Sequence, residues 1–140
     1  MSRIFWDTNL FIYLFEDYGS LSKTVAGLRS SMLKRGDQLL TSTLTLGEIL
    51  VKPIEHGDSD RCAAYEHAIT SAALVIPFDL KAAKTYAELR SDRSMKAPDA
   101  IQLACAASAS VDLFVTNDER LHGEQVQGIQ FIVPLNRAPI

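Results

Sequence analysis

The chain has 140 residues, of which 47% are hydrophobic, and a formal net charge of -3 with a pI near 5.5. That length and apolar content suit one domain with a real core, so the chain need be neither disordered nor stapled by disulfides. The acidic balance disfavours a protein that coats nucleic acid through bulk positive charge but leaves room for a metal enzyme acting on phosphates or for a basic partner, and no apolar run approaches the ~20 residues that cross a bilayer.

The opening MSRIFWD shows no charged, apolar and cleavage regions in succession, so no signal peptide is expected. Residues 3–6 (RIFW) form a short apolar run that predicts a buried strand. Asp7-Thr8-Asn9 is a helix-start signal, and Leu10, Phe11, Tyr13, Leu14 and Phe15 follow at helical spacing. Residues 17–20 predict a turn, and a second helix runs over about 21–35 to a stop at Gly36-Asp37. Residues 38–41 predict a strand. Ser42 or Thr43 then caps a helix carrying Leu44, Glu48, Ile49 and Val51 and stopping before Pro53. Gly47 lowers helix propensity there, which predicts a close backbone approach.

A helix over about 59–73, a strand at 74–76 and a helix over about 80–90 capped by Asp79 come next. After a charged loop, Pro98 sits in the first turn of a helix rich in small residues that runs to about Ala109. Strands are predicted at 112–116 and 130–133, with a loop or short helix between. Strands alternating with helices predict an α/β fold: a central, mostly parallel sheet with helices on both faces, as one domain over 1–140. Cys62 and Cys105 lack CxxC spacing, which suits a reducing cytoplasm and argues against zinc; Cys105, in a small-residue helical pattern, is expected to be buried.

Four carboxylates stand at the edges of apolar segments: Asp7 in IFWDTN, Glu48 in LTLGEIL, Asp99 in KAPDAIQLA and Asp118 in LFVTNDERL. Each has an ordinary reading of its own. Asp7 could be an N-cap, Glu48 a solvated helix residue, Asp99 a match to the helix dipole and Asp118 a turn residue. If they converge, they repel one another and resist desolvation unless a cation stands among them, and a hard divalent ion is the simplest such cation. Asn9 could cap the helix or hold the Asp7 carboxylate, and Thr116 could orient a carboxylate or a metal-bound water. Arg93, Lys96 and Arg120 lie close enough in sequence to Asp99 or Asp118 to reach a phosphate. His56, His67 and His122 have no ligand or triad spacing, and no phosphate-cradling glycine motif is present. Phe5 and Trp6 adjoin Asp7 but are expected in the core.

The order of these features, DTN, an apolar helix with an embedded Glu, a helix-start PDA and a strand followed by TND, resembles the PIN-domain ribonucleases. Within them it looks most like the VapC-type toxins of toxin–antitoxin pairs, from Ile4 to the strand near Val133. The resemblance implies an endoribonuclease dependent on Mg²⁺ or Mn²⁺, with Asp7, Glu48, Asp99 and Asp118 as its acidic metal-binding set. It also implies an RNA substrate, a VapB-like antitoxin partner, a homodimer and no membrane association. Two alternatives stay open, an RNA-processing nuclease with no antitoxin and a non-catalytic RNA- or protein-binding module on the same fold. A DxDxT phosphatase is disfavoured, because position 9 is Asn.

Overall fold

The structure, a computed structural model, describes residues 1–140. Five strands form one sheet in the order β3-β2-β1-β4-β5, and every neighbouring pair is parallel. They are β1 (Arg3–Trp6), β2 (Gln38–Ser42), β3 (Leu74–Ile76), β4 (Val111–Val115) and β5 (Ile129–Val133). Six helices connect them: α1 (Thr8–Phe15), α2 (Ser20–Arg35), α3 (Thr43–Glu55), α4 (Ser59–Ala72), α5 (Leu80–Arg90) and α6 (Ala97–Ala109). No helix is long and apolar enough to cross a membrane.

Parallel strands need crossover helices, and those helices cover both faces of the sheet. The strand side chains divide accordingly. Phe5, Leu40 and Phe114 join α5 and α6 in one core, while Ile4, Trp6, Leu39 and Val115 join α1 to α4 in the other. Phe5 and Phe114 are register partners on adjacent strands, and their rings stack with centroids 5.1 Å apart. Both are fully buried, as are Trp6 and Phe11. Burying a side chain of that size contributes about 1.5–3 kcal/mol. Phe5 and Trp6 are thus core residues, as their sequence context predicts.

The alanines of α6 let it lie close to the sheet. Ala100, Ala104 and Ala106 are fully buried, and the neighbouring Cys105 thiol is pushed up to about 11 by burial, with the charge of Asp79 adding to the rise. The close approach extends to the C-terminal end of α6. Gly128, at φ +100°, leads into β5 so tightly that a Cβ there would stand 2.5 Å from the Ala107 carbonyl oxygen. Only glycine fits that backbone and that gap.

Two local expectations are corrected. The helix expected to stop before Pro53 continues to Glu55. Pro53 is buried, and the final turn is closed from beyond it: the His56 N–H bonds the Lys52 carbonyl at 3.0 Å and the Asp58 N–H bonds the Pro53 carbonyl at 2.9 Å. Proline therefore removes one donor near the helix end without ending the helix. Gly47 marks no close approach, for it is exposed with open space where a Cβ would stand. The two glycines should respond oppositely to substitution. Gly47→Ala is expected to raise stability by about 0.5–1 kcal/mol, and Gly128→Ala to lower it by about 2 kcal/mol or more. Urea unfolding midpoints that move up for the first and down for the second would bear this out.

Candidate active site

In open α/β sheets, ligands collect beyond the carboxyl ends of the strands, where connections leave in opposite directions. Here that place lies between β1 and β4. The chain leaves β1 towards β2 on one side, and β4 and β5 lie on the other. Asp7 is the first residue past β1, and its N–H still bonds the Val115 carbonyl at 3.0 Å. Thr116 is the first residue past β4. The sheet thus brings together two side chains that are 109 residues apart, and the Thr116 hydroxyl donates to Asp7 Oδ2 at 2.7 Å.

Asp7 is also the N-cap of α1, so the capping reading of this residue is correct as far as it goes. Among the helix's backbone donors its Oδ1 takes the adjacent Thr8 N–H, at 2.8 Å, rather than that of the second or third helical residue as in most caps. The same oxygen accepts from Gln102 Nε2 at 3.2 Å. The half-buried carboxylate therefore faces neutral donors and no paired cation. Burial pushes its pKa above the ordinary value. Hydrogen bonds from Thr116, Thr8 and Gln102 oppose that rise, and the charge of Glu48 adds to it.

Gln102 is the residue that sequence reasoning missed. It is buried on α6, and its Nε2 also reaches Thr8 Oγ1 at 3.1 Å and Thr45 Oγ1 at 2.7 Å. Its Oε1 accepts from the Ser42 hydroxyl. One amide thus ties the ends of β1 and β2 and the start of α3 to α6. The one signal in the sequence is a polar residue in an apolar helix, one turn after Asp99.

The other carboxylates fall into two groups. Asp99, in the first turn of α6, and Asp118, past β4, are both partly exposed and share one guanidinium. Arg120 Nε donates to Asp118 Oδ1 at 2.9 Å, and its Nη2 bonds Asp118 Oδ2 while standing 3.3 Å from Asp99 Oδ2. Asp118 also caps a short 3-10 turn at Glu119–Leu121, so its turn reading holds as well. Its N–H donates to Thr116 Oγ1 at 3.0 Å, which makes Thr116 the link between Asp118 and Asp7. The hydrogen bond from Arg120 holds the Asp118 carboxyl below its usual range. Asp99 goes the other way. Burial raises it, Arg120 opposes, and the charges of Asp118 and Asp7 raise it further. Three carboxylates therefore feel one another across the end of the sheet.

Glu48 stands at the margin of this group. It is exposed on α3 and joined to the rest through Thr8, whose hydroxyl donates to Glu48 Oε1 at 2.7 Å. Asn9 does not touch Asp7. Its Nδ2 reaches Thr116 Oγ1 at 3.5 Å, so it acts one bond removed. Lys96, exposed at the N-cap of α6, lowers the pKa of Asp99 through its charge, and Arg93 is exposed in the loop before it.

The acidic side chains here offer oxygen alone, which suits a hard divalent cation rather than zinc. As the side chains are arranged, no three acidic, histidine or cysteine groups are gathered tightly enough to hold one. The donor set fits such an ion in kind, and Arg120 is the cation it now holds. Beside Glu48 a groove of about 490 Å³ opens between α1, α3 and α4, with Ile12, Phe15, Ile49, Val51 and Tyr65 among its walls.

The family model described as PIN domain matches residues 4–123. No curated protein matches the chain by sequence. Among solved structures, a chain of VapBC2 from Rickettsia felis, bound to a DNA fragment from its promoter, superposes with a TM-score of 0.75 at 14% identity, over 94% of this chain and 98% of that one. DNA-bound VapBC from Salmonella typhimurium gives 0.73 at 21% identity, over 96% and 99%. VapBC-1 from nontypeable Haemophilus influenzae gives 0.72 at 17%, also over 96% and 99%. At these identities the likeness is one of fold.

A raised carboxyl binds its proton more tightly in the folded state than in the unfolded one. Asp7 and Asp99 therefore weaken the metal-free fold at neutral pH, and that penalty fades as pH falls through their folded values towards the ordinary 3.8. Asp7→Asn is expected to melt above wild type in EDTA at pH 7, with the difference shrinking on acidification. Thermal unfolding across pH tests this. Gln102→Leu, which leaves the Ser42 and Thr45 hydroxyls without their buried partner, is expected to cost about 1–3 kcal/mol in urea unfolding.

Proposed function

The chain belongs to the PIN-domain family, and from that premise we propose that it is a divalent-metal-dependent endoribonuclease, the toxin of a toxin–antitoxin pair. The observation that carries the reading is the chain of contacts that joins Asp7 through Thr116 to Asp118 at the ends of β1 and β4, and Asp118 through Arg120 to Asp99. Burial raises the carboxyls of Asp7 and Asp99, and without a cation beside them these two make the fold less stable at neutral pH.

Asp7, Asp99 and Asp118 are the residues that would hold Mg²⁺ or Mn²⁺, with Glu48 acting through water. When bound, such an ion supplies Lewis-acid chemistry, neutralising charge on the scissile phosphate and easing the formation of a hydroxide nucleophile. The protein's own part is mostly orientation. Thr116, the Thr8 N–H and Gln102 fix the Asp7 carboxylate from three sides. Glu48 has one oxygen held by Thr8, which leaves the other to orient the attacking water and take up its proton. Lys96 and Arg93, exposed just before Asp99, are the cations we assign to a phosphate flanking the cut. The bond broken is to a ribose 3′-oxygen, giving a 5′-phosphate product.

The apolar groove beside Glu48 is the surface we assign to the antitoxin. Its apolar walls suit a segment with bulky apolar anchors, and Glu16, Glu48, Lys52 and Arg61 on its lining offer such a segment charges of both signs. The neighbours in fold come from VapBC complexes, which supports such a partner. The two free thiols suit work in a reducing cytoplasm. A homodimer accords with the family resemblance.

Asp7→Asn and Asp99→Asn are expected to abolish RNA cleavage while keeping the fold, and excess EDTA should do the same to wild type. Undiminished cleavage in any of the three would defeat the mechanism. Expression of wild type should arrest growth, Asp7→Asn should not, and co-expression of the neighbouring small gene should relieve the arrest. Millimolar Mg²⁺ or Mn²⁺ should raise the melting temperature by binding the folded state alone.

A further inference from the structure

We propose that Arg120 is a resident counter-ion of the acidic site, which a divalent cation must displace, so that metal affinity is set by competition with this guanidinium. The inference rests on the metal-dependent reading above and adds to it a gate within the chain.

The geometry is that of a clamp. The backbone N–H of Arg120 donates to Asp118 Oδ1 at 3.1 Å, which turns the side chain back over its own 3-10 turn. Its Nε and Nη2 then grip Asp118 as a fork, and Nη2 extends to Asp99 on a different element. It contacts both oxygens of Asp118 and one of the two on Asp99, the same carboxylates an ion would use. A guanidinium and a divalent cation cannot both contact Asp99 and Asp118 without repelling each other, so binding of one expels the other.

Displacement is feasible because the clamp is at the surface. Arg120 is 53% exposed, and ion pairs in that setting are weak. The cleft beside it, about 240 Å³, is lined by Ser94, Asp99, Leu121 and Glu124, so a freed guanidinium finds another carboxylate nearby in Glu124. Arginine cannot be deprotonated in this range, so the competition persists at every physiological pH. Asp7 is gripped by no guanidinium and remains open to the ion first. The gate thus acts on the Asp99–Asp118 side of the site.

Calorimetric titration of the full chain with Mn²⁺ and with Mg²⁺ tests the idea without any nuclease assay. Arg120→Ala is expected to bind about three- to tenfold more tightly than wild type. Arg120→Lys, which keeps the charge but loses the fork, should fall between them and covers the case of an alanine variant that does not fold. Equal or weaker binding by Arg120→Ala would overturn the gate and leave the metal site standing. No binding by either protein would overturn both. In wild type the Nε–H resonance of Arg120 should be protected from exchange in EDTA and lose that protection at saturating Mg²⁺. An unchanged resonance would also overturn the gate.

Discussion

The structure turns on one carboxyl group at the end of its central strand. Asp7 lies where β1 stops, half-buried, with only neutral donors in contact: a threonine hydroxyl, a backbone N–H and a glutamine amide. Neutral donors soften the cost of burying a charge without cancelling it. The polar groups around it therefore cannot be rearranged freely. Thr116 must follow β4 directly, Gln102 must face inward from α6, and α6 must lie close enough to the sheet for its amide to reach.

That requirement accounts for the composition of α6. A helix with large side chains would stand away from the strands, and Gln102 would fall short of Asp7. Its alanines and Cys105 bring the axis in, and Gly128 lets the approach to β5 pass over its last turn. The same close packing sets Asp99, in the first turn, beside Arg120 and Asp118. Packing of the apolar core and positioning of the charged cluster are one constraint seen from two sides.

The architecture was largely legible because each element carries its own period. The strands are short apolar runs, the helices repeat at three and four, and their alternation leads to a parallel sheet. Asp7, Asp99 and Asp118 stood out because each borders an apolar segment. What stayed hidden depends on contacts distant in sequence. Gln102 looks like any helix glutamine until β1, β2 and α3 are placed around it. Arg120 is visibly near Asp118, but its reach to Asp99 crosses between elements 21 positions apart in the sequence. Pro53 and Gly47 were misread for the opposite reason. Local rules assigned them a break and a contact, whereas burial holds Pro53 inside the helix and Gly47 simply faces water.

The position of β4 has a consequence for how the molecule comes into being. β1 emerges first during synthesis and lies at the centre of the sheet, yet its neighbour on one side is made more than a hundred residues later. Until that strand arrives, Asp7 lacks the Thr116 hydroxyl, and Asp99 lacks both Asp118 and Arg120. No shorter nascent segment contains the assembled cluster. Chains dominated by such distant pairings also fold slowly. A ribosome making this protein thus carries an incomplete cluster until the segment that holds β4, Asp118 and Arg120 has been made and has folded into place.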